Sequence, residues 1–265
     1  MGYFNLNIMK KILFLVSILF ISLSSFAQER FECKEFSSSE GTVLKYRLLE
    51  PKQIKKGKKY PLVLFLHGAG ERGSDNKKQL IHGSQMFLNP VNRDKYPAFV
   101  LFPQCPKGIT WAYRSLPKSL TNLPAEDMTY VFRAVKELLD SYLANPLVDK
   151  SRIYIMGLSM GAMGTYDMVA RFPEIFAAAI PICGAVAPGR LAPAKYVKFR
   201  IFHGDADDTV PVEASRAVYR ELKEVGASVE YIEFPGCGHN SWNPAFNQPD
   251  FMKWLFAQKK HRKNR

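Results

Sequence analysis

The sequence of 265 residues predicts an α/β fold, in which a mostly parallel central sheet is covered by helices on both faces. Short, continuous apolar runs, typical of buried strands, alternate along the chain with longer segments of helical apolar spacing. No proline- or glycine-rich linker interrupts the series, and 47% of the residues are hydrophobic, enough for one sizeable core. We therefore expect one domain.

The predicted elements follow in order along the chain. The alternating segment 42–49 is expected to be an early antiparallel strand, and the later apolar runs stop at turn residues as buried strands do. The predicted strands are 42–49, 62–66, 98–102, 152–156, 177–182, 199–202 and 229–234, and the predicted helices are 128–143, 161–171, 212–225 and 250–258. Long connections at 67–96, 103–124 and 184–197 are expected to build the ligand site.

The N-terminus has the pattern of an export signal. Two lysines precede an apolar run at 12–26, which ends in a small-x-small cleavage pattern at 25–27. We predict a signal peptide at 1–27, a catalytic domain at 28–265, and a periplasmic or extracellular protein without a stable membrane span after cleavage. Met9 is an equally good start. The alternative, an uncleaved anchor, is disfavoured because the run is shorter than the about 20 apolar residues that cross a bilayer.

The net charge of +13 is concentrated in a few runs. Twelve positive charges belong to the signal, to the lysine-rich loop 52–59 and to a basic tail from about 259, which leaves about +1 on the remainder. Such runs are usually solvated, and their functional interpretation is weak attraction to an anionic surface such as acidic polysaccharide. No nucleic-acid partner is predicted, because interleaved aromatic residues and a known binding module are missing from the sequence.

Cysteine usage leaves the redox state open. Export would place Cys33, Cys105, Cys183 and Cys237 in an oxidising compartment, where two disulfides could form with three possible connectivities. No pair has the C-x-x-C spacing of a metal site, so neither a metal nor another cofactor is predicted.

A candidate nucleophile lies in the motif Gly157-Leu158-Ser159-Met160-Gly161, which matches G-x-S-x-G between a predicted strand and a predicted helix. A serine on such a tight turn adopts a strained conformation, and bulk at either glycine would collide with neighbouring backbone. The turn also directs the N-terminus of the helix at the reacting carbonyl, where negative charge develops.

A serine nucleophile needs a base, and the chain has only five histidines. His261 lies in the basic tail, and His82 lies upstream in a long connection. His67 and His203 each end a strand in a His-Gly pair, where the ring more often orders a loop. His239 lies in a glycine-rich loop after the last predicted strand and satisfies the chain order of serine, acid and histidine.

The acid that orients the imidazole is expected in the loop after strand 199–202, which carries three aspartates. Asp205 is close to the strand end and is expected to bond its own turn. Asp207 and Asp208 lie farther along the loop. We favour Asp207, and spacing alone leaves its neighbours open.

Two backbone amides are expected to form the oxyanion hole. Met160, the residue after the nucleophile, supplies one of them. The other is expected from the glycine-rich segment 67–73, with Ala69 as the first choice and Gly70 as the second.

These motifs together resemble single-domain α/β-hydrolase esterases of the dienelactone-hydrolase-like, phospholipase/carboxylesterase-like and feruloyl-esterase-like groups, which are related to the catalytic domain of prolyl oligopeptidases. The resemblance implies the α/β-hydrolase fold, maps the catalytic acid onto Asp207 and gives Ala69 an oxyanion role. Dienelactone hydrolases proper use a cysteine nucleophile, so Ser159 does not support lactone chemistry. The matching segments are 64–73, 102–106, 157–161, 203–207 and 238–240.

The predicted function is that of a serine esterase without a cofactor, acting on a small or polysaccharide-linked ester such as a feruloyl or acetyl ester of plant polysaccharide. Trp111 and Trp242 are candidates to wall the substrate pocket, with local packing as the alternative. Arg72 is a candidate anchor for an acidic substrate, although pairing with neighbouring loops is the simpler interpretation. The alternative functions are a prolyl-oligopeptidase-like peptidase and a binding protein built on a hydrolase scaffold.

Overall fold

The computed structural model describes residues 31–112 and 127–260, and the predicted signal peptide lies outside the described residues. The described strands form one eight-stranded sheet in the order β1-β2-β4-β3-β5-β6-β7-β8. Strand β2 pairs antiparallel with both of its neighbours, and all the other pairs are parallel. The strands are β1 (Glu32–Ser37), β2 (Val43–Leu49), β3 (Tyr60–Leu66), β4 (Phe99–Pro103), β5 (Val148–Leu158), β6 (Ala178–Ile182), β7 (Lys198–Gly204) and β8 (Val229–Phe234).

From β3 onward, helices lie in the connections between the strands and after β8. The α-helices of the described residues are α1 (Ser84–Leu88), α2 (Pro90–Lys95), α3 (Tyr130–Ala144), α4 (Met160–Arg171), α5 (Val212–Glu224), α6 (Trp242–Phe246) and α7 (Phe251–Ala257). Three short 3-10 helices lie at Ala69–Glu71, Lys78–Leu80 and Ala192–Ala194. Within the described residues, no helix combines the length and the apolar character that a membrane span requires.

Strand β3 shows how the sheet is covered, because all seven of its residues are buried. Leu62, Leu64 and Leu66 point into a core that includes residues of α3, α4 and α5. Val63 and Phe65 point into the opposite core, which includes residues of α1 and α7. A strand buried on both faces is a continuous apolar run rather than an alternating one. The predicted α/β fold with helices on both faces of the sheet is therefore confirmed.

Among the strands and α-helices of the described residues, four lie where the sequence predicted none: β1, α1, α2 and the five-residue α6. Strand β1 contains charged residues and pairs with β2 at the edge of the sheet, so it lacks the apolar run by which a buried strand is predicted. Helices α1 and α2 lie inside the predicted connection 67–96, and each is too short to show a helical apolar period. Part of the predicted connection 103–124 lies outside the described residues.

All four cysteines are free thiols in this structure, with Cys33 exposed at the sheet edge and Cys105 and Cys183 buried. The disulfides that the sequence permitted are not formed among them. Burial raises the pKa of the Cys105 thiol and of the Cys183 thiol to about 12, so both remain protonated at neutral pH.

His67 joins the end of β3 to the segment that follows β4. Its ring is buried, and Nδ1 donates a hydrogen bond to the carbonyl oxygen of Gly68 over 2.7 Å. Its Nε2 accepts the backbone amide of Cys105 at 2.9 Å, and the indole N–H of Trp111 donates to the His67 carbonyl at 3.0 Å. Both ring nitrogens are therefore used by the neutral imidazole. Burial lowers the pKa of His67 from 6.5 to about 4.

This pKa predicts an acid-sensitive fold. Between pH 6.5 and 4, the unfolded chain binds a proton at residue 67 that the folded chain does not bind, so stability is complete above this range and decreases as the pH falls through it. The loss attributable to His67 is expected to reach about 3 kcal/mol. Urea unfolding measured from pH 7 to pH 4 should show a smaller decrease for His67→Gln than for the wild type.

The matched control is His82→Gln, which replaces a histidine whose side chain is 31% exposed. This variant is expected to retain the wild-type pH dependence. A decrease in stability that is identical in all three proteins would contradict the assignment to His67.

Candidate active site

Ser159 lies on the tight turn between β5 and α4. Its φ angle is 53°. Residues other than glycine rarely adopt such a positive φ, which costs on the order of 1–3 kcal/mol. A Cβ atom at Gly161 would overlap the carbonyl oxygen of Leu66, and one at Gly157 would overlap the backbone of Gly161. The structure thus supplies the steric reason for both glycines of the motif. The Ser159 amide donates to the Ile182 carbonyl over 2.9 Å, which anchors the turn to β6.

The predicted nucleophile, base and acid lie together at the carboxyl edge of the sheet. Their chain of hydrogen bonds, from Ser159 through His239 to Asp207, is called here the relay. The Ser159 Oγ atom lies 2.9 Å from Nε2 of His239. The other ring nitrogen of His239, Nδ1, lies 2.8 Å and 3.0 Å from the two carboxylate oxygens of Asp207. The residues come from the loops after β5, β7 and β8, so three connections distant in sequence converge on one chain of hydrogen bonds.

The carboxylate of Asp207 is fully buried and receives several donors. The backbone amides of Thr209 and Val210 each donate to Oδ1 over 2.9 Å, and Nε2 of His203 lies 3.1 Å from Oδ2. Burial alone would raise the pKa of Asp207, but the hydrogen bonds from His203, His239 and the two amides outweigh it and hold the pKa well below its ordinary value. Asp207 therefore carries a negative charge that faces His239.

The other two aspartates of the loop have different partners. Oδ1 of Asp205 accepts the amide of Gly236 at 2.6 Å, so it ties the β7 loop to the β8 loop rather than bonding within its own turn. Asp208 is exposed and accepts the hydroxyl of Thr209 at 3.2 Å. Of the three carboxylates, Asp207 is the one that bonds the imidazole of His239.

His203 supports Asp207 from below. Its ring is buried, with Nδ1 at 2.7 Å from the hydroxyl oxygen of Ser215 and Nε2 at 2.9 Å from the carbonyl oxygen of Val210. Because a carbonyl only accepts, Nε2 carries a proton and shares it between the Val210 carbonyl and the carboxylate of Asp207. The sequence predicted that His203 orders a loop. In the structure its ring also contacts the carboxylate of Asp207, so the loop that it orders is the one that carries the predicted acid.

Candidate oxyanion donors flank the serine. Met160 is the first residue of α4, where the amide has no partner within the helix and the helix dipole favours negative charge. Ala69 and Gly70 line the cleft in front of Ser159, at the start of the 3-10 helix. The amides of Met160 and Ala69 remain the predicted pair, with Gly70 as the second choice for the latter position.

A cleft of about 400 Å³ opens onto the Ser159 hydroxyl, a volume at the small end of ligand sites. The sequence did not indicate that four of the residues lining this cleft belong to the site. They are apolar residues and a threonine, which occur in any core or loop. These are Leu158, Met163, Thr209 and Val210. The remaining lining residues are Gly68, Ala69, Gly70, Glu71, Ser159, His239 and Trp242.

The predicted substrate contacts have different outcomes. Trp242 lines the cleft and packs edge-on against His239, with the ring centroids 5.6 Å apart. Trp111 is fully buried and packs against His67 and Phe132, so its proposed role in the pocket wall is corrected to local packing. A side chain without exposed surface cannot contact a substrate.

Arg72 is held by the backbone of its own and a neighbouring loop. Its Nε donates to the Ala69 carbonyl over 2.9 Å, and a terminal nitrogen donates to the Ile109 carbonyl over 3.3 Å. It is not among the residues that line the cleft. This geometry corrects the predicted anchor for an acidic substrate and matches the alternative, pairing with neighbouring loops.

Three potential metal ligands also meet behind the serine. Ligand atoms of Cys183, Asp207 and His239 lie within 4.8 Å of one another. The carboxylate and the imidazole already bond each other, and the Cys183 thiol is protonated, so we explain this cluster by the relay and assign it no metal.

Comparison with known proteins identifies the family. The sequence pattern of the phospholipase/carboxylesterase family matches residues 52–250. The chain belongs to this family. It is therefore a hydrolase of the α/β-hydrolase superfamily, as the resemblance of its motifs predicted.

Several proteins to which this chain is similar are named as esterases. A probable carboxylesterase of Oryza sativa subsp. japonica is 28% identical over 211 residues, which cover 74% of this chain and 87% of that protein. The solved structure of a thermostable esterase is 36% identical with a TM-score of 0.81, over 88% of this chain and 64% of that chain. A ferulic acid esterase of Anaeromyces mucronatus shares the fold with a TM-score of 0.62 at 17% identity, over 86% of this chain and 90% of that chain.

The geometry predicts that the two neighbouring aspartates differ sharply in their effect on esterase activity. Asp207→Asn removes the charge opposite the imidazole, and kcat for p-nitrophenyl acetate is expected to fall on the order of 10³- to 10⁴-fold. The matched control, Asp208→Asn, alters an exposed carboxylate one position away and is expected to stay within about twofold. Equal losses in both variants, with both folds intact by circular dichroism, would contradict the assignment of Asp207.

Proposed function

We propose that this protein is an exported serine esterase that cleaves carboxylic esters in two acyl-transfer steps. One observation carries the proposal: the continuous hydrogen-bonded relay from Ser159 through His239 to the buried carboxylate of Asp207, opening into a cleft. Membership of the phospholipase/carboxylesterase family supports the same reaction class.

In the proposed first step, the Ser159 hydroxyl attacks the ester carbonyl while His239 Nε2 takes its proton. Asp207 holds the imidazole by Nδ1 and stabilises the imidazolium that forms, since its carboxylate stays ionised. Negative charge moves to the carbonyl oxygen, where the amides of Met160 and Ala69 are proposed to donate to it. His239 then returns the proton to the leaving alcohol as the C–O bond breaks.

In the proposed second step, water replaces the alcohol. His239 removes a proton from the water as its oxygen attacks the acyl carbonyl, and the tetrahedral intermediate expels the Ser159 oxygen. The imidazolium protonates that oxygen and restores the serine. His239 thus acts first as base and then as acid in each half of the reaction. No cofactor enters the proposed steps.

The substrate proposal rests on the cleft and on the relatives. A volume of about 400 Å³ with Trp242, Met163 and Leu158 in its wall suits a short or aromatic acyl group. We propose feruloyl or acetyl esters of plant polysaccharide, which the fold shared with a ferulic acid esterase supports. The proposal of export, periplasmic or extracellular, rests on the signal pattern at 1–27, and sequencing of the mature N-terminus should begin at Gln28.

The mechanism predicts that the hydroxyl of one serine is indispensable. Ser159→Ala is expected to reduce kcat on p-nitrophenyl acetate, methyl ferulate and acetylated xylan on the order of 10⁴-fold or more, because the nucleophile is removed. Ser228→Ala, which alters an exposed serine at the other end of β8, serves as the control and should keep wild-type rates.

Matched ester and anilide substrates separate the proposed esterase from a peptidase. We expect kcat/KM to be higher on the ester. Full activity of Ser159→Ala would overturn the mechanism, whereas a preference for the anilide would overturn the substrate class.

A further inference from the structure

A second cavity of about 400 Å³ lies at the amino ends of the parallel strands, on the edge of the sheet opposite the active site. Tyr60 begins β3 and Arg152 lies in β5, whereas Ser159 follows the carboxyl end of β5. The seven residue-to-residue steps from Arg152 to Ser159 span on the order of 20 Å of extended chain, so the two cavities are separate. The second cavity, called here the basic pocket, is lined by Lys58, Lys59, Tyr60, Pro61, Lys95, Tyr96, Pro97, Arg152, Lys253, Phe256 and Ala257.

The charged side chains that line the basic pocket are all cations. They come from four separate parts of the chain: the lysine-rich loop before β3, the end of α2, the first half of β5, and α7. Among the described residues, no carboxylate oxygen lies within 4.0 Å of the ammonium nitrogens of the four lysines, and Arg152 pairs with Asp149 at 2.7 Å. A concave surface of one charge sign focuses the electric field and concentrates ions of the opposite sign. The pocket therefore suits an anionic ligand.

The wall of the basic pocket is aromatic. The rings of Tyr96 and Phe256 stack with centroids 5.0 Å apart and an interplanar angle of 24°, and both side chains are partly exposed. Lys58 and Lys95 lie over the rings of Tyr60 and Tyr96, at 5.3 Å and 5.5 Å from the centroids. The exposed parts of such rings offer apolar surface to the C–H groups of a sugar ring, while ammonium groups beside them reach its charged substituents.

We propose that the basic pocket binds a carboxylate-bearing sugar unit of an acidic polysaccharide. The cations would pair with the carboxylate, and the Tyr96–Phe256 pair would support the ring. The concave shape favours this ligand over a bilayer or a nucleic-acid duplex, which would need a basic surface that is flat or follows a groove. Binding here would hold the enzyme on its polymer while the distant cleft acts on esters, because tethering raises the effective substrate concentration.

Affinity electrophoresis in gels that contain polygalacturonate tests the proposal, with neutral galactan gels for comparison. The wild type should be retarded by polygalacturonate and not by galactan. The variant Lys58→Glu/Lys253→Glu should bind about tenfold more weakly or worse, because opposite charges then line the pocket. Its kcat/KM on p-nitrophenyl acetate should equal that of the wild type, which separates this test from that of the esterase mechanism.

The matched control is Lys195→Glu/Lys223→Glu, which changes the net charge equally at lysines outside the basic pocket. Its binding should change by less than about twofold. Equal weakening in both double variants would show that total charge alone acts, and would overturn the proposal. It would also be overturned if the wild type failed to bind polygalacturonate, or if it bound duplex DNA or phosphatidylglycerol vesicles as tightly at the same ionic strength.

Discussion

The strained turn at Ser159 is the constraint on which the site depends. Its φ angle of 53° is tolerated because β5, β6 and α4 fix the residues on both sides, and because Gly157 and Gly161 leave room for neighbouring backbone. A relaxed turn would move the Ser159 hydroxyl away from the imidazole of His239, and the hydrogen bond between them would be lost. The sheet thus supports a local conformation that the chain would not adopt alone.

The charge behind the relay is maintained by a second set of contacts. Asp207 is fully buried, and an isolated buried carboxylate would favour its neutral form. Two backbone amides and His203 reverse that preference by donating to it, and the Val210 carbonyl, which only accepts, keeps a proton on Nε2 of His203. The β7 loop therefore provides an ionised acid whose position is set before substrate binds, which is the form of electrostatic preorganisation that acyl transfer needs.

The sequence predicted the features that depend on the pattern of residues within one short segment. The buried strands and long helices follow from apolar periodicity, and the motif around Ser159 follows from steric necessity, so both were accessible without coordinates. Strand β1 was not, because an edge strand half exposed to water carries charged residues. For Trp111 the sequence left the pocket wall and local packing open, because it places a side chain in a loop without giving its direction, and the structure buries it. The basic pocket, too, forms from segments whose proximity only the tertiary fold determines.

We propose that the fold activates the hydroxyl of Ser159 through His239. The most direct measurement is mass spectrometry of the folded protein after reaction with a fluorophosphonate, with peptide mapping of the adduct. We expect one adduct, on Ser159, formed rapidly in the wild type and much more slowly in His239→Ala. An adduct on another residue, or labelling of Ser159 at the same rate without the imidazole, would contradict it.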